Sequence, residues 1–190
     1  IKLYFLRWFC GVYVLSFSGL KFLLLLVLLI AARPTYAANS ADSWRSKFPD
    51  MKFVGSGVLK MLFMDIYKLN LYANEGRYSG RNDFVLEFEY LKPVSKSTII
   101  DASINELTKP DDVTSTEIKF WKRILDKGIV DMNAGEVASV SFTNEGMVTF
   151  YLDDRLPVSF KAPKFAKGFS SIWLGKNTSR PRLRQKLLGK

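Results

Sequence analysis

Hydrophobic and polar residues alternate in several short stretches of the chain, which is the pattern typical of β-strands. The clearest stretch is FVLEFEYL, residues 84–91, where large apolar side chains occupy every second position. This alternation predicts a strand with one face buried and the other exposed. Residues 51–58 and 63–73 are rich in β-forming residues and predict two earlier strands. Gly55 and Gly57 in the first of these allow a bulge or a close approach of another backbone.

After residue 94 the hydrophobic period becomes helical. Isoleucine, tryptophan and leucine recur at helical spacing in two segments that the sequence LTKPDD separates. Ser95 or Ser97 can cap the start of the first helix, and Thr114 or Ser115 can cap the second. Gly128 is predicted to end the second helix.

The remainder of the chain returns to strands and then to helices. Two β-forming stretches, 136–143 and 147–152, flank the turn Asn144-Glu145-Gly146 and predict a hairpin. A short strand at 156–160 and two helices at 164–174 and 182–188 are predicted to follow. Pro181 immediately before the last helix is typical of a helix start. The element order predicts an α+β fold, an antiparallel sheet with helices on one face.

Charge is unevenly distributed along the chain. The net charge is +10, yet residues 38–160 contain 15 basic and 18 acidic residues, so the excess lies at the two ends. A mildly acidic body argues against a nucleic-acid-binding domain. The chain has no histidine and one cysteine, Cys10. Catalytic triads that need histidine are therefore excluded, and the carboxylates show no metal-ligand spacing, so neither a metal nor a cofactor is predicted.

The N-terminal residues predict a secretory leader. Lys21 precedes an apolar run at 22–32, and Thr35-Tyr36-Ala37 suits signal-peptide cleavage. The prediction is a leader at residues 1–37, with a true start near residue 20, and a periplasmic or secreted domain at 38–190. The alternative is a leader that stays uncleaved and anchors the protein in a membrane.

Two blocks of sequence resemble the chalcone isomerase-like family, especially its bacterial exported members. One block is GSGVLKMLFMDIYKLNLYA, which is similar to the family's first long strand pair. The other lies at the end of the chain, with matching elements Phe169, Ile172-Trp173-Leu174-Gly175, Thr178, Pro181, Leu183-Arg184 and Leu187-Leu188-Gly189. The resemblance implies an open-faced β-sandwich, in which a long antiparallel sheet is covered by a helical layer and the ligand lies in the cleft between them.

The resemblance also implies where site residues should lie. The family's enzymes place an arginine two residues after the second glycine of the front strand, and here that position is Leu59, with Lys60 beside it. Their threonine on the next strand falls at Tyr67. Loss of one preorganised cationic donor typically costs ~100–1000-fold in rate. The match therefore argues against flavonoid isomerisation.

The other family positions are assigned more loosely. A second threonine falls at Ser171 or Ile172, and a tyrosine and an asparagine of the first helix align with Thr98 and Asn105. Asn70, between two leucines of a predicted strand, is a further ligand-binding candidate. The predicted ligand-binding residues are therefore Tyr67, Asn70, Thr98, Asn105 and Ile172.

Three functions follow as hypotheses. The first is non-catalytic binding of a small amphipathic ligand such as a fatty acid, because branches of this family bind fatty acids. The second is an intramolecular lyase or isomerase on an unknown substrate, with Lys60, Tyr67 and Asn105 as catalytic candidates. The third is weak contact between the basic C-terminus and anionic membrane surfaces. The sequence leaves the oligomeric state open.

Overall fold

Six antiparallel strands form a single sheet in which every strand lies beside its neighbour in sequence. The computed structural model describes residues 40–110, 112–153 and 155–190, so the predicted leader lies outside the described residues. The strands are β1 Met51–Met61, β2 Met64–Asn74, β3 Phe84–Tyr90, β4 Val137–Phe142, β5 Met147–Leu152 and β6 Val158–Lys161. The predicted α+β class is confirmed.

Five α-helices accompany the sheet. A short 3-10 turn at Ser40–Asp42 precedes them, and the helices are α1 Trp44–Lys47, α2 Lys96–Leu107, α3 Ser115–Gly128, α4 Pro163–Leu174 and α5 Pro181–Leu187. Helices α2 to α5 contribute to the main core on one face of the sheet. In the described part of the chain, no helix combines the length and the apolar character needed to cross a membrane.

Local capping decides where the two central helices begin. The Ser95 side chain accepts a hydrogen bond from the backbone N–H of Thr98, and Thr114 accepts one from the backbone N–H of Glu117. Glu117 in turn accepts from the N–H of Thr114, which completes a capping box. Of the predicted alternatives, Ser95 and Thr114 are therefore the caps.

The main hydrophobic core lies between the sheet and the helical layer. Strands contribute leucines and phenylalanines to it, and helices contribute large aromatic and aliphatic side chains; large side chains that are almost completely buried include Leu69, Leu71, Leu86, Ile124, Leu125, Phe165 and Leu187. Burial of each such side chain stabilises the fold by about 1.5–3 kcal/mol relative to leaving it exposed to water. This packing holds α4 against the sheet.

Helix α5 lies directly on β1 because two glycines leave room for it. A Cβ atom at Gly55 would meet the backbone oxygens of Lys186 and Leu187, and one at Gly57 would meet Leu183 at 2.6 Å. At Gly55 both features that the sequence allows are present, because the α5 backbone approaches closely and the β1–β2 pairing shifts register beside it, whereas the close neighbours of Gly57 are side chains. Helix α5 therefore runs along β1 with its N-terminal end towards the β1–β2 turn.

The opposite face of the sheet is not open to water at β3. Strand β3 was predicted to be half-buried, but Val85 and Glu87 on its second face are also buried. Trp44 of α1 packs in a small cluster with Val85, and its ring lies 4.9 Å from that of Tyr72. The buried Glu87 carboxylate accepts hydrogen bonds from Asn70, Tyr72 and Arg45. The polar residue at position 87 thus reflects this buried network, whereas Glu89, near Lys68, remains partly exposed.

Candidate functional site

A cavity of about 310 Å³ lies between the sheet and the helical layer. Strands β1 to β5 form one side of it, and helices α2 and α4 form the other. Its volume is at the lower end of the range of small-molecule sites in proteins. The predicted cleft between the sheet and the helices is thus present in the structure.

The walls of the cavity are mostly apolar. Its inner part is lined by aliphatic and aromatic side chains that include Leu59, Val140, Ile129, Met132, Phe150 and Leu152. Most of these belong to the buried core, so the cavity reaches inward from the surface of the helical layer. Such walls favour a ligand, or a part of a ligand, that has no polar groups.

Aromatic rings pack edge to face along one side of the cavity. The ring of Phe88 lies 5.3 Å from that of Tyr67 and 5.1 Å from that of Trp173, and Trp173 lies 5.3 Å from Phe169. These centroid distances are those of favourable aromatic pairs. Strands β2 and β3 and helix α4 therefore position this wall jointly.

One hydrogen bond crosses this aromatic wall. The indole N–H of Trp173 donates to the Tyr67 hydroxyl oxygen at 2.8 Å. Burial raises the pKa of Tyr67 to about 12, although the Trp173 bond and the positive charge of Arg180 act in the opposite direction. Burial also raises the pKa of Tyr90. Both tyrosines line the cavity, and their phenols are therefore neutral at physiological pH.

Polar groups gather where the cavity meets the surface. Thr98 and Asn105 of α2 and Ser179 and Arg180 of the α4–α5 connection are exposed and line the cavity. Arg180 makes no ion pair with any residue that the structure describes. The cavity therefore has an apolar interior and a polar mouth, which suits an amphipathic molecule.

The only acidic group among the described lining residues, Glu106, already has partners. Its carboxylate accepts from Lys109 Nζ at 2.7 Å and from Ser179 Oγ at 2.9 Å. Burial opposes its ionisation, but these hydrogen bonds and the charges of Lys109 and Arg180 together lower the pKa of Glu106. With Glu106 matched by Lys109, the charge of Arg180 leaves the mouth with a net positive charge.

Four of the five predicted ligand-binding residues line this cavity. They are Tyr67, Thr98, Asn105 and Ile172, and Leu59 lies among them at the position of the family's arginine. Of the two alternatives for the second threonine, Ile172 lines the cavity, whereas the Ser171 hydroxyl donates to the backbone oxygen of Lys167 on α4.

Two predicted site residues lie elsewhere. The Asn70 side chain donates to Glu87 on the opposite face of the sheet, because it alternates with the inward-facing Leu69 and Leu71. Lys60 is exposed, does not line the cavity, and pairs with Asp65 at 2.9 Å. The ligand-binding candidate Asn70 and the catalytic candidate Lys60 therefore lie outside the cavity: Leu59 takes the inward position and Lys60 faces away.

Arg180 and Glu106 were not predicted as site residues. Arg180 was grouped with the other basic residues of the C-terminal tail, where nothing in the local pattern distinguishes it. Its place at the mouth depends on how α5 packs along β1.

In the described part of the chain, no group of three or more acidic or other ligating side chains could hold a metal ion.

A helical layer covers one face of the six-stranded antiparallel sheet, and an apolar cavity lies between the two layers. This arrangement is an open-faced α+β fold with an internal cavity. The sequence model of the chalcone isomerase-like family matches residues 35–189. The chain therefore belongs to the chalcone isomerase-like family, as its sequence resemblance predicted.

A solved structure supports the same fold. The crystal structure of the Arabidopsis thaliana fatty-acid binding protein AtFAP1 superposes with a TM-score of 0.56 at 10% sequence identity, covering 73% of this chain and 87% of that one. A search of curated protein sequences finds no match.

Proposed function

We propose that the protein binds a small amphipathic molecule, such as a fatty acid, in the cavity and does not transform it. The observation that supports this most directly is an apolar interior combined with a cation at the mouth, Arg180, which forms no ion pair with the residues that the structure describes. The fold shared with AtFAP1, a fatty-acid binding protein, is consistent with this ligand class.

The apolar interior would hold the hydrocarbon part of the ligand. Each methylene group that leaves water contributes about 0.8 kcal/mol, so a chain of about eight methylenes gains about 6 kcal/mol. Ordering the ligand and its surroundings offsets part of this gain. The mainly apolar contact therefore favours a flexible hydrocarbon chain of moderate length.

The polar mouth would hold the head group. Arg180 supplies the positive charge, and the Asn105 amide and the Thr98 hydroxyl supply further hydrogen-bonding groups. The Glu106 carboxylate is hydrogen-bonded to Lys109 and Ser179, which leaves the Arg180 guanidinium available to a ligand. A monoanionic head such as a carboxylate matches this arrangement.

The side chains of the cavity are poorly suited to isomerase chemistry. Leu59 stands where the family's enzymes have an arginine, so the charge that would stabilise a phenoxide or an enolate is missing from that strand. Tyr67, with a pKa raised to about 12, is a poor general base at neutral pH. The alternative, an intramolecular lyase or isomerase, would have to rely on Arg180 for charge stabilisation.

The proposal includes export to the periplasm or the cell exterior after cleavage of the leader. This part rests on the sequence of residues 21–37 alone, which lie outside the described residues.

Native mass spectrometry of the protein, purified without denaturation from the periplasm of a bacterial host, tests the binding proposal. We expect a discrete added mass that is lost on denaturation. Ala102 lines the cavity at its mouth, so Ala102→Trp should abolish the added mass. The adjacent exposed residue Asp101 does not line the cavity, so Asp101→Trp should retain it.

Two results would contradict the proposal. An apo mass, together with no measurable binding of added fatty acids, would contradict the binding function. Turnover of a co-purified or added compound, lost in Tyr67→Phe, would favour the isomerase alternative.

A further inference from the structure

The turn between β1 and β2 exposes four consecutive apolar side chains. Met61 and Met64 are 45% and 50% exposed, Leu62 is 85% exposed, and Phe63 is fully exposed. We name residues 61–64 the hairpin tip. Scattered apolar residues are common on protein surfaces, but four in a row at the end of a projecting hairpin form an apolar patch that needs an explanation.

The backbone of the hairpin tip makes this sequence more unusual. Met61 pairs with Met64, so Leu62 and Phe63 are the two central residues of the turn, with φ of 46° and 69°. Turns of this kind strongly prefer Asn-Gly or a similar pair, because a bulky side chain is strained at positive φ. Leu62 and Phe63 therefore stabilise neither this turn nor the solubility of the protein.

The hairpin tip lies at the mouth of the cavity. Met61 lines the cavity together with Arg180. Helix α5 follows Arg180 and lies along β1, with Lys186 packed beside Gly57 and with Arg182 exposed. The apolar tip and the cation Arg180 therefore lie at the same cavity mouth, and residues 161–190, which include α5, contain no acidic residue at all.

We propose that the hairpin tip inserts into the surface of a lipid bilayer that contains anionic lipids. The apolar side chains enter the acyl region, and the basic residues of α5 and Arg180 contact the head groups. This orientation places the mouth of the cavity against the membrane, so that an amphipathic molecule passes between bilayer and cavity without crossing water.

A protein partner fits the tip less well than a membrane does. A stable protein interface buries roughly 800 Å² on each partner, which four side chains at a projecting tip do not supply. A bilayer needs no complementary shape, and it matches both the apolar tip and the positive charge beside it.

A fluorescent label at the tip tests the insertion in the full chain. Phe63→Cys in a Cys10→Ser background, labelled with the dye NBD, is mixed with vesicles of phosphatidylcholine and phosphatidylglycerol. The control is Leu156→Cys in the same background, because Leu156 is 89% exposed in the β5–β6 connection, at the other edge of the sheet. This comparison reports the position of the tip whatever residues 1–37 do.

The emission of the label at position 63 should shift to shorter wavelength and be quenched by lipids brominated in their acyl chains, while the label at 156 changes little. No shift at 63, or equal shifts at both positions, would overturn the proposal. A shift at 63 that appears without vesicles and grows with protein concentration would assign the tip to a second copy of the chain and would also overturn it.

A second variant separates membrane contact from folding and from ligand binding. Leu62→Asn/Phe63→Gly removes the apolar side chains and supplies the pair that this turn prefers, so the fold should be retained. Transfer of a fluorescent fatty acid from vesicles to this variant should be severalfold slower than to the wild type, with an unchanged Kd in solution. An unchanged transfer rate would overturn the role of the tip in ligand exchange.

This kinetic measurement rests on the proposed function, whereas the label measurement does not. If the wild type binds no fatty acid in solution, the proposed function fails and the label at position 63 still decides whether the tip enters the membrane.

Discussion

Trp173 and Tyr67, 106 residues apart in the chain, are joined by a 2.8 Å hydrogen bond at the wall of the cavity. The bond links helix α4 to strand β2, and both residues also pack against the ring of Phe88. It sets the separation of the helical layer from the sheet at the point where the cavity opens between them. Both side chains therefore stabilise the fold and shape the site.

Removing the Tyr67 hydroxyl should destabilise the protein. In Tyr67→Phe the largely buried Trp173 N–H loses its acceptor, and a buried donor without a partner costs about 1–3 kcal/mol. Urea unfolding followed by tryptophan fluorescence measures the change. Tyr90→Phe is the matched control, because Tyr90 lines the same cavity and its hydroxyl forms no hydrogen bond with the residues described. An equal loss in both variants would contradict the structural role of the bond.

Arg180 should determine the preference of the cavity for an anionic head group. The wild type should bind a fatty acid more tightly than the alcohol of the same chain length, and Arg180→Gln should remove most of this preference. Because Arg180 is exposed, the expected change is about 1 kcal/mol, or roughly fivefold in Kd. Isothermal titration calorimetry with both ligands measures it. Arg182→Gln, an exposed change on α5 outside the cavity lining, should leave the preference intact.

The buried carboxylate on the opposite face of the sheet should depend on Arg45. Arg45 donates to Glu87 at 2.8 Å, and Glu87 is buried. Arg45→Ala leaves this carboxylate without its positive partner, so we expect the free energy of unfolding to fall by about 1–3 kcal/mol. The control Arg77→Ala removes an exposed pair with Glu75 and should cost about 1 kcal/mol or less. Similar losses in the two variants would argue against a special role for Glu87.

The start of α3 should contribute to acid sensitivity. Hydrogen bonds from Thr114 and Lys164 lower the pKa of Glu117 from 4.5 to about 2. A carboxylate with a lowered folded-state pKa stabilises the fold above its unfolded pKa, and this contribution is lost as the pH falls from about 4.5 towards 2.

Urea midpoints of the wild type and Glu117→Gln measure this effect across the acid range. The difference between the two proteins should be largest above pH 4.5 and shrink as the pH falls towards 2. Glu145→Gln removes a more exposed carboxylate, 3.6 Å from Lys161, and should change the midpoint little at any pH. A pH-independent difference for Glu117→Gln would contradict the assignment.

The helices and most strands were predictable because their signals are local. Ser95 and Thr114 cap amides only three residues away, so the cap, the helix and its start lie within one short stretch. Inward positions were predictable for Tyr67 and Ile172, where family resemblance supplied the alignment. The same alternation that places Leu59 inward also places Lys60 outward.

The sequence-based predictions were wrong or incomplete where the local sequence pattern was weak or misleading. Trp44 lies in a helix of four residues, which is too short to show a hydrophobic period, so its packing against β3 was not predicted. Phe63 was assigned to a strand because it is a β-former, yet the pairing of Met61 with Met64 makes it a turn residue. Asn70 was assigned to the ligand, but its partner is Glu87 on the neighbouring strand.

By itself, the sequence determined the type and order of the strands and helices from β1 onward, the α+β class and the family. Periodicity, capping and turn chemistry act between residues a few positions apart, so they are visible in one dimension. Only the tertiary structure decided that Asn70 lies outside the cavity, which cation stands at its mouth, and that an apolar turn lies beside it. These relationships join residues of distant segments such as Met61, Glu106 and Arg180, whose proximity depends on the packing of α2 and α5 against the sheet.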